Sequence, residues 1–235
     1  MRWVAIDPGH GGIDVGAPHY DAAGKPDAFE SDINLALALR LRQVLVARGY
    51  GVLMTREDDS VVNVDEADVN GDGRVTYVDD LQARVDQINA SSAELLLSIH
   101  QNAFYYAPGR PGLDVGGTVT FYCADRPFAE ESLRLGRLVQ AEVVRAWADL
   151  GHESLDRGVL DDATLATPDE PGDHLILLGP ETERIVRPSQ VPGVLSETAF
   201  LTHPREFALL GSAAGQERLA LAYADAIVAF LESAP

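Results

Sequence analysis

Two kinds of hydrophobic pattern alternate along this chain. Short, dense apolar runs read as strands: Val4-Ala5-Ile6, Tyr50 to Thr55, Glu94 to Ile99, Gly117 to Cys123, and Val194-Leu195. Between them, apolar residues recur every three or four positions. Ile33, Leu37, Leu41, Val44 and Leu45 predict a helix that starts at an N-cap Ser31, carries Asp32 in its first turn and ends at Gly49. Leu81, Val85 and Ile88 place a helix over 80–90, and Leu135, Val139, Val143, Ala146 and Leu150 one over 127–150. His203-Pro204-Arg205-Glu206 opens a short helix, and Leu219, Tyr223, Ala226, Ile227 and Phe230 line the buried face of the last, over 213–231. The opening order of strand, loop, helix and strand predicts a βαβ unit with a right-handed crossover, and so an α/β fold. Segments 13–29 and 105–115 read as surface loops. From 151 to 191 the pattern fades: Arg157-Gly158-Val159 and Leu175 to Leu178 read as short strands, and the acidic, Pro-rich stretch 161–174 as loop.

Composition narrows the classes. The chain has 235 residues, of which 46% are hydrophobic, enough to bury a substantial core. Its formal net charge of −19 argues against a nucleic-acid partner, which needs a basic stripe, and leaves cation binding open. No apolar run approaches the roughly 20 residues that span a bilayer. The single cysteine, Cys123, excludes an internal disulfide. The N-terminus enters a strand directly, so no secretion signal is expected in this chain.

Residues 57–80 interrupt the α/β pattern. Within them, Asp68, Asn70, Asp72, Thr76 and Asp79 put oxygen-bearing side chains at positions one, three, five, nine and twelve of a loop with glycine at six. That is the calcium-loop template, in which the seventh residue, Arg74, contributes its carbonyl. Aspartate at position twelve departs from the usual glutamate of an EF-hand and is similar to dockerin-type loops. One structural calcium ion is expected here.

Four polar groups follow strands or open a helix: His10 after Asp7-Pro8-Gly9, Glu30 before its helix, His100 at the end of the buried run 94–99, and Glu197 after Val194-Leu195. In open α/β sheets, ligands bind at the carboxyl ends of strands. Two imidazoles and one carboxylate make a catalytic zinc set with a position left open for water, and a second carboxylate can move protons. The other histidines, His19, His152, His174 and His203, read as mostly exposed loop residues.

These motifs together resemble the zinc-dependent N-acetylmuramoyl-L-alanine amidases that cut bacterial peptidoglycan. The matching segments are Asp7-Pro8-Gly9-His10-Gly11-Gly12, Glu30, Ser98-Ile99-His100-Gln101-Asn102, Arg157-Gly158-Val159, and Leu195 to Phe200 with Pro204. Arg56 and Leu81-Gln82-Ala83-Arg84 match on either side of the insertion. Ala199 stands where glycine is usual and His203 where asparagine is common; neither is a ligand. The resemblance implies that His10, Glu30 and His100 bind zinc and that Glu197 is the catalytic glutamate. It implies a single domain over 1–235, a twisted, mixed but mostly parallel sheet flanked by helices on both faces, interrupted by the calcium-loop insertion at about 60–80. The substrate would be the amide joining N-acetylmuramic acid to L-alanine. The protein is expected to act as a monomer outside the cytoplasm, in the cell wall or periplasm, after secretion or by phage-type endolysin delivery. Two other readings use the same residues: a calcium-dependent wall-binding module without catalysis, and a zinc peptidase cutting elsewhere in the stem peptide.

Overall fold

A computed structural model describes residues 1–107, 109–165 and 174–233. Six strands form the central sheet: β1 (Trp3–Pro8), β4 (Gly51–Met54), β5 (Ala93–Asn102), β8 (Thr118–Tyr122), β9 (Asp156–Asp161) and β10 (Gly193–Phe200). Two small hairpins, β2 (Pro18–Tyr20) with β3 (Pro26–Phe29) and β6 (Tyr105–Ala107) with β7 (Arg110–Pro111), stand inside the segments expected to be plain loops. The helices are α1 (Glu30–Ala47), α2 (Tyr77–Asn89), α3 (Ala129–Asp149), α4 (Pro204–Leu210) and α5 (Ala213–Glu232).

The sheet order is β4-β1-β5-β10-β8-β9. β4, β1, β5 and β10 run parallel, β8 runs antiparallel to β10, and β9 runs parallel to β8. The four parallel strands therefore share one carboxyl edge. Strand alternation supplies both faces of the sheet with apolar side chains. Val4, Ile6, Leu95, Leu97 and Ile99 pack with α1, α3 and α5 on one face. Ala5 and Leu96 pack with Val85 and Ile88 of α2 and with Leu177 and Leu178 on the other. Each fully buried leucine or isoleucine contributes roughly 1.5–3 kcal/mol relative to exposure.

Three further elements differ from the sequence reading. First, α1 begins at Glu30, so Ser31 is inside the helix and Phe29 holds the N-cap position. Its first free N–H groups are satisfied by backbone instead: Glu30 N–H donates to Ala17 O and Ser31 N–H to Val15 O. Second, α2 begins three residues early because Thr76 and Asp79 form a capping box. Third, Leu175–Leu178 closes a turn, with Leu178 and Gly179 N–H both donating to Leu175 O. Its apolar run is buried by packing under the sheet, not by strand pairing. Residues 166–173 of the expected 161–174 loop lie outside the described residues.

Candidate active site

β1 delivers His10 two residues past its end. Gly9 N–H donates to Ile99 O of the neighbouring strand, and the His100 imidazole lies against Gly9. A Cβ on residue 9 would fall 2.1 Å from His100 Nε2, so only glycine fits there. His10 has φ of 64°, a left-handed conformation that costs a non-glycine residue about 1–3 kcal/mol. Two buried arginines hold that bend. Arg56 donates to the carbonyls of Pro8, Gly9 and Ser31, and Arg84 to those of Pro8 and His10. Arg84 is anchored in turn by Asp80 and by Asp7, which also accepts from Thr55 and Ser98.

Glu30, at the first position of α1, meets both histidines. Its Oε2 is 3.1 Å from His10 Nε2 and its Oε1 is 3.1 Å from His100 Nδ1. The ring centroids of His10 and His100 are 4.8 Å apart. Glu30 is buried and is fixed further by the N–H groups of Ala17 and Gln101 and by Asn34, one helical turn along. The other nitrogen of His10, Nδ1, lies 2.9 Å from Asp14 Oδ2, which fixes the ring's orientation.

The electrostatics follow from this packing. Burial opposes charge on Glu30, but hydrogen bonds and charge from His10 and His100 hold its carboxyl far below the ordinary carboxylate range. Burial also disfavours the His10 imidazolium, yet Asp14 and then Glu30 overcome it and push His10 up to about 10. The cluster thus calls for positive charge at its centre, which a divalent cation supplies when it displaces the imidazole protons. Two imidazoles and a carboxylate with converging atoms suit zinc.

Glu197 is the register partner of His100 on the adjacent strand, so the two side chains share a face of the sheet. Its Oε2 is shielded from solvent and has no hydrogen-bond partner among the described residues. Burial pushes this carboxyl up to about 7, opposed by the His100 charge. An arginine pair does not explain it: Arg157 donates to Gly116 O and stacks over Phe200.

Some positions were not picked out from the sequence. Asp14 and Asn34 each stand four residues from a site residue, His10 and Glu30, and that spacing is the signal that could have found them. The four remaining histidines are not mostly exposed. All are half-buried, and three face carboxylates: His19 faces Asp27, His152 faces Glu206 and His174 faces Asp162. Their partners lie too far along the sequence, or too irregularly, for spacing to reveal them.

The expected calcium loop is folded as a tight turn, with Gly73 at φ of 84° in the position that needs glycine. Asp68 accepts from the N–H groups of Gly71, Asp72 and Gly73; Asn70 accepts from Asp72 and Asp72 from Arg74. Asp79 accepts from Val69, Asn70 and Thr76. Among the described residues, three clusters have converging ligand atoms, and Asp68, Asp72 and Asp79 are not one of them. This segment does border the site. A groove of ≈ 750 Å³ runs from His10 and Asp14 along Val61, Val75, Tyr77 and Leu81.

Asp7 offers a test of this support. Burial opposes its charge, but Arg84, Ser98 and Thr55 hold its carboxyl below the ordinary range. A carboxyl depressed in the folded state contributes stability above its unfolded pKa and loses it as pH falls through the folded value. Asp7→Asn strips a buried arginine of one partner and should cost roughly 3–5 kcal/mol. Chemical denaturation at neutral pH measures this, and the gap between variant and wild type should narrow as pH falls below the carboxylate range. A variant of unchanged stability at neutral pH would assign Arg84's support elsewhere.

The sequence profile described as N-acetylmuramoyl-L-alanine amidase matches residues 4–229. A germination-specific N-acetylmuramoyl-L-alanine amidase of Bacillus subtilis is 31% identical over 221 residues, covering 92% of this chain and 74% of that protein. The N-acetylmuramoyl-L-alanine amidase AmiA of Escherichia coli is 27% identical over 250 residues, covering 97% and 76%. Among solved structures, the CwlD amidase of Clostridioides difficile, in complex with the GerS lipoprotein, superposes with a TM-score of 0.73 at 29% identity over the full length of both chains.

Proposed function

The chain belongs to the N-acetylmuramoyl-L-alanine amidase family, and from that premise we propose that it hydrolyses the amide between N-acetylmuramic acid and L-alanine with zinc held by His10, Glu30 and His100. The observation that carries this reading is the meeting of those three side chains beside an unpartnered Glu197 oxygen. Zinc bound there would bring the pKa of a water towards about 7 and polarise the amide carbonyl. Glu197 accepts the water proton and passes it to the departing L-alanine nitrogen. Asp14 keeps His10 turned towards Glu30, and Arg56 and Arg84 keep the bend that presents His10 in place. A peptidoglycan substrate puts this work outside the cytoplasm.

Mass spectrometry of digested peptidoglycan tests the bond. The expected products are stem peptides with a free L-alanine amine and glycan with intact lactyl carboxylates. New ends within the stem peptide would indicate a zinc peptidase, and binding without new ends a wall-binding module; either result overturns the reading.

The insertion at about 60–80 is part of the same proposal. Asp68, Asn70, Asp72, the Arg74 carbonyl, Thr76 and Asp79 bind one calcium ion that stabilises the loop. Supporting this are the spacing, the glycine at position six with its positive φ, and the turn already formed around Asp68. Calcium added to zinc-loaded protein after selective chelation should raise the melting temperature, by about 2.7 kcal/mol of stabilisation at 100 times Kd. An unchanged melting temperature removes calcium from the loop.

A further inference from the structure

Three side chains of unlike chemistry meet at the sheet edge opposite His10 and His100. β8 runs antiparallel to β10, so Cys123, just after β8, lies where β10 and its parallel neighbours begin. Asp162 follows β9, and His174 precedes the buried turn Leu175–Leu178. Cys123 and Asp162 are buried and His174 is nearly so. His174 Nδ1 is 3.5 Å from Cys123 Sγ and 2.8 Å from Asp162 Oδ1. We propose that Cys123, Asp162 and His174 form a second metal site, for zinc, that fastens His174 and the 175–178 turn to the edge of the sheet.

Geometry and chemistry both support this. A thiolate about 2.3 Å and an imidazole about 2.0–2.1 Å from one tetrahedral zinc stand about 3.6 Å apart, close to the separation seen. Thiolate, imidazole and carboxylate together select a borderline-soft transition ion over calcium or magnesium. Water fills the fourth position, while Asp125 Oδ2, 3.7 Å from His174 Nε2, lies on the far side of the ring, where it can orient the imidazole. Binding releases the thiol proton and any proton bridging His174 and Asp162, and leaves the chain otherwise unchanged. Asp162 keeps lone pairs for the ion, because Leu175 N–H takes Oδ2 while its other bonds are to the His174 ring and the Cys123 thiol, the two groups that would ligate the ion with it.

A third meeting of ligating groups, His152, His203 and Glu206, lacks that freedom. Glu206 Oε1 serves Gly117 N–H, Ser154 and His152, its Oε2 serves Phe200 N–H, and His203 Nδ1 accepts from Glu206 N–H as the cap of α4. Those bonds saturate one carboxylate oxygen and engage the other, and they occupy one imidazole nitrogen, in holding α4.

Cobalt reports the site directly. The full chain, stripped of metal and titrated with Co²⁺ alone, should take up two ions and show a near-ultraviolet thiolate-to-cobalt charge-transfer band. With one cysteine in the chain, that band can arise only from Cys123. Cys123→Ala and His174→Ala should each lose the band and one cobalt, while His10→Ala loses the other cobalt and keeps the band. The proposal is overturned if wild-type protein shows no charge-transfer band at saturation, or if Cys123→Ala binds as much cobalt as wild type. The wild-type spectrum decides alone should a variant fail to fold, and because His10→Ala follows the other site, failure here leaves the amidase reading untouched.

Discussion

His10→Ala is expected to lose one zinc per chain and all measurable amide hydrolysis while remaining folded. His10 provides one of the three convergent atoms, and Glu30 and His100 cannot close the set alone. Loss of an outer-shell partner already weakens metal binding by about 10–100-fold, and loss of a ligand exceeds that. The fold should survive. His10 is at the rim with part of its ring in solvent, and the bend is held by carbonyl bonds from Arg56 and Arg84 that alanine leaves in place. Alanine at φ of 64° carries the strain histidine carried, so little is gained or lost there. Zinc content, melting temperature and turnover on one preparation check the result. A variant that keeps both its zinc content and its turnover would remove His10 from the metal set.

Glu197→Gln is expected to do the opposite with metal: full zinc, intact fold, and turnover down by about 10²–10⁴-fold, the usual contribution of a general acid–base group. Glutamine keeps the shape of the side chain and cannot accept a proton near neutral pH. The unpartnered Oε2 matters for the control. Because burial pushes the carboxyl up to about 7 in the metal-free chain, its ionised form weakens that fold above the unfolded glutamate range. Glutamine removes that cost, so the melting temperature of the metal-free protein should hold or rise. A structural carboxylate would behave the other way, with lower stability and normal turnover per folded molecule. Near-normal turnover with full zinc would exclude Glu197 from proton transfer.

Much of the site was legible because buried parallel strands are nearly pure apolar runs, and a polar residue at their end stands out. His10, His100 and Glu197 are singled out that way, and Glu30 by its place at the entrance of a helix. What spacing could not show was which distant backbone satisfies which group. Ser31 has the right chemistry for a cap, but Val15 and Ala17 carbonyls, brought in by the β2–β3 segment, do the work. Thr76 and Asp79 suit both a calcium loop and a capping box, and residue spacing alone does not show that the second use starts the helix at Tyr77. Leu175–Leu178 is too short for periodicity to separate a strand from a buried turn. His152 and His174 looked like isolated loop residues, since their carboxylate partners Glu206 and Asp162 are brought near by the fold.

The strand order also governs when the candidate site can be completed during synthesis. β10 is last of the strands in the chain yet lies in the middle of the sheet, between β5 and β8. During synthesis, a ribosome releases both histidines and Glu30 long before it releases residues 193–200. Until then the growing chain has two half-sheets with exposed edges and no Glu197. Long-range parallel pairing of this kind is slow to form. A product truncated ahead of β10 would lack one wall of the candidate site and leave the edges of β5 and β8 unpaired and open to proteolysis.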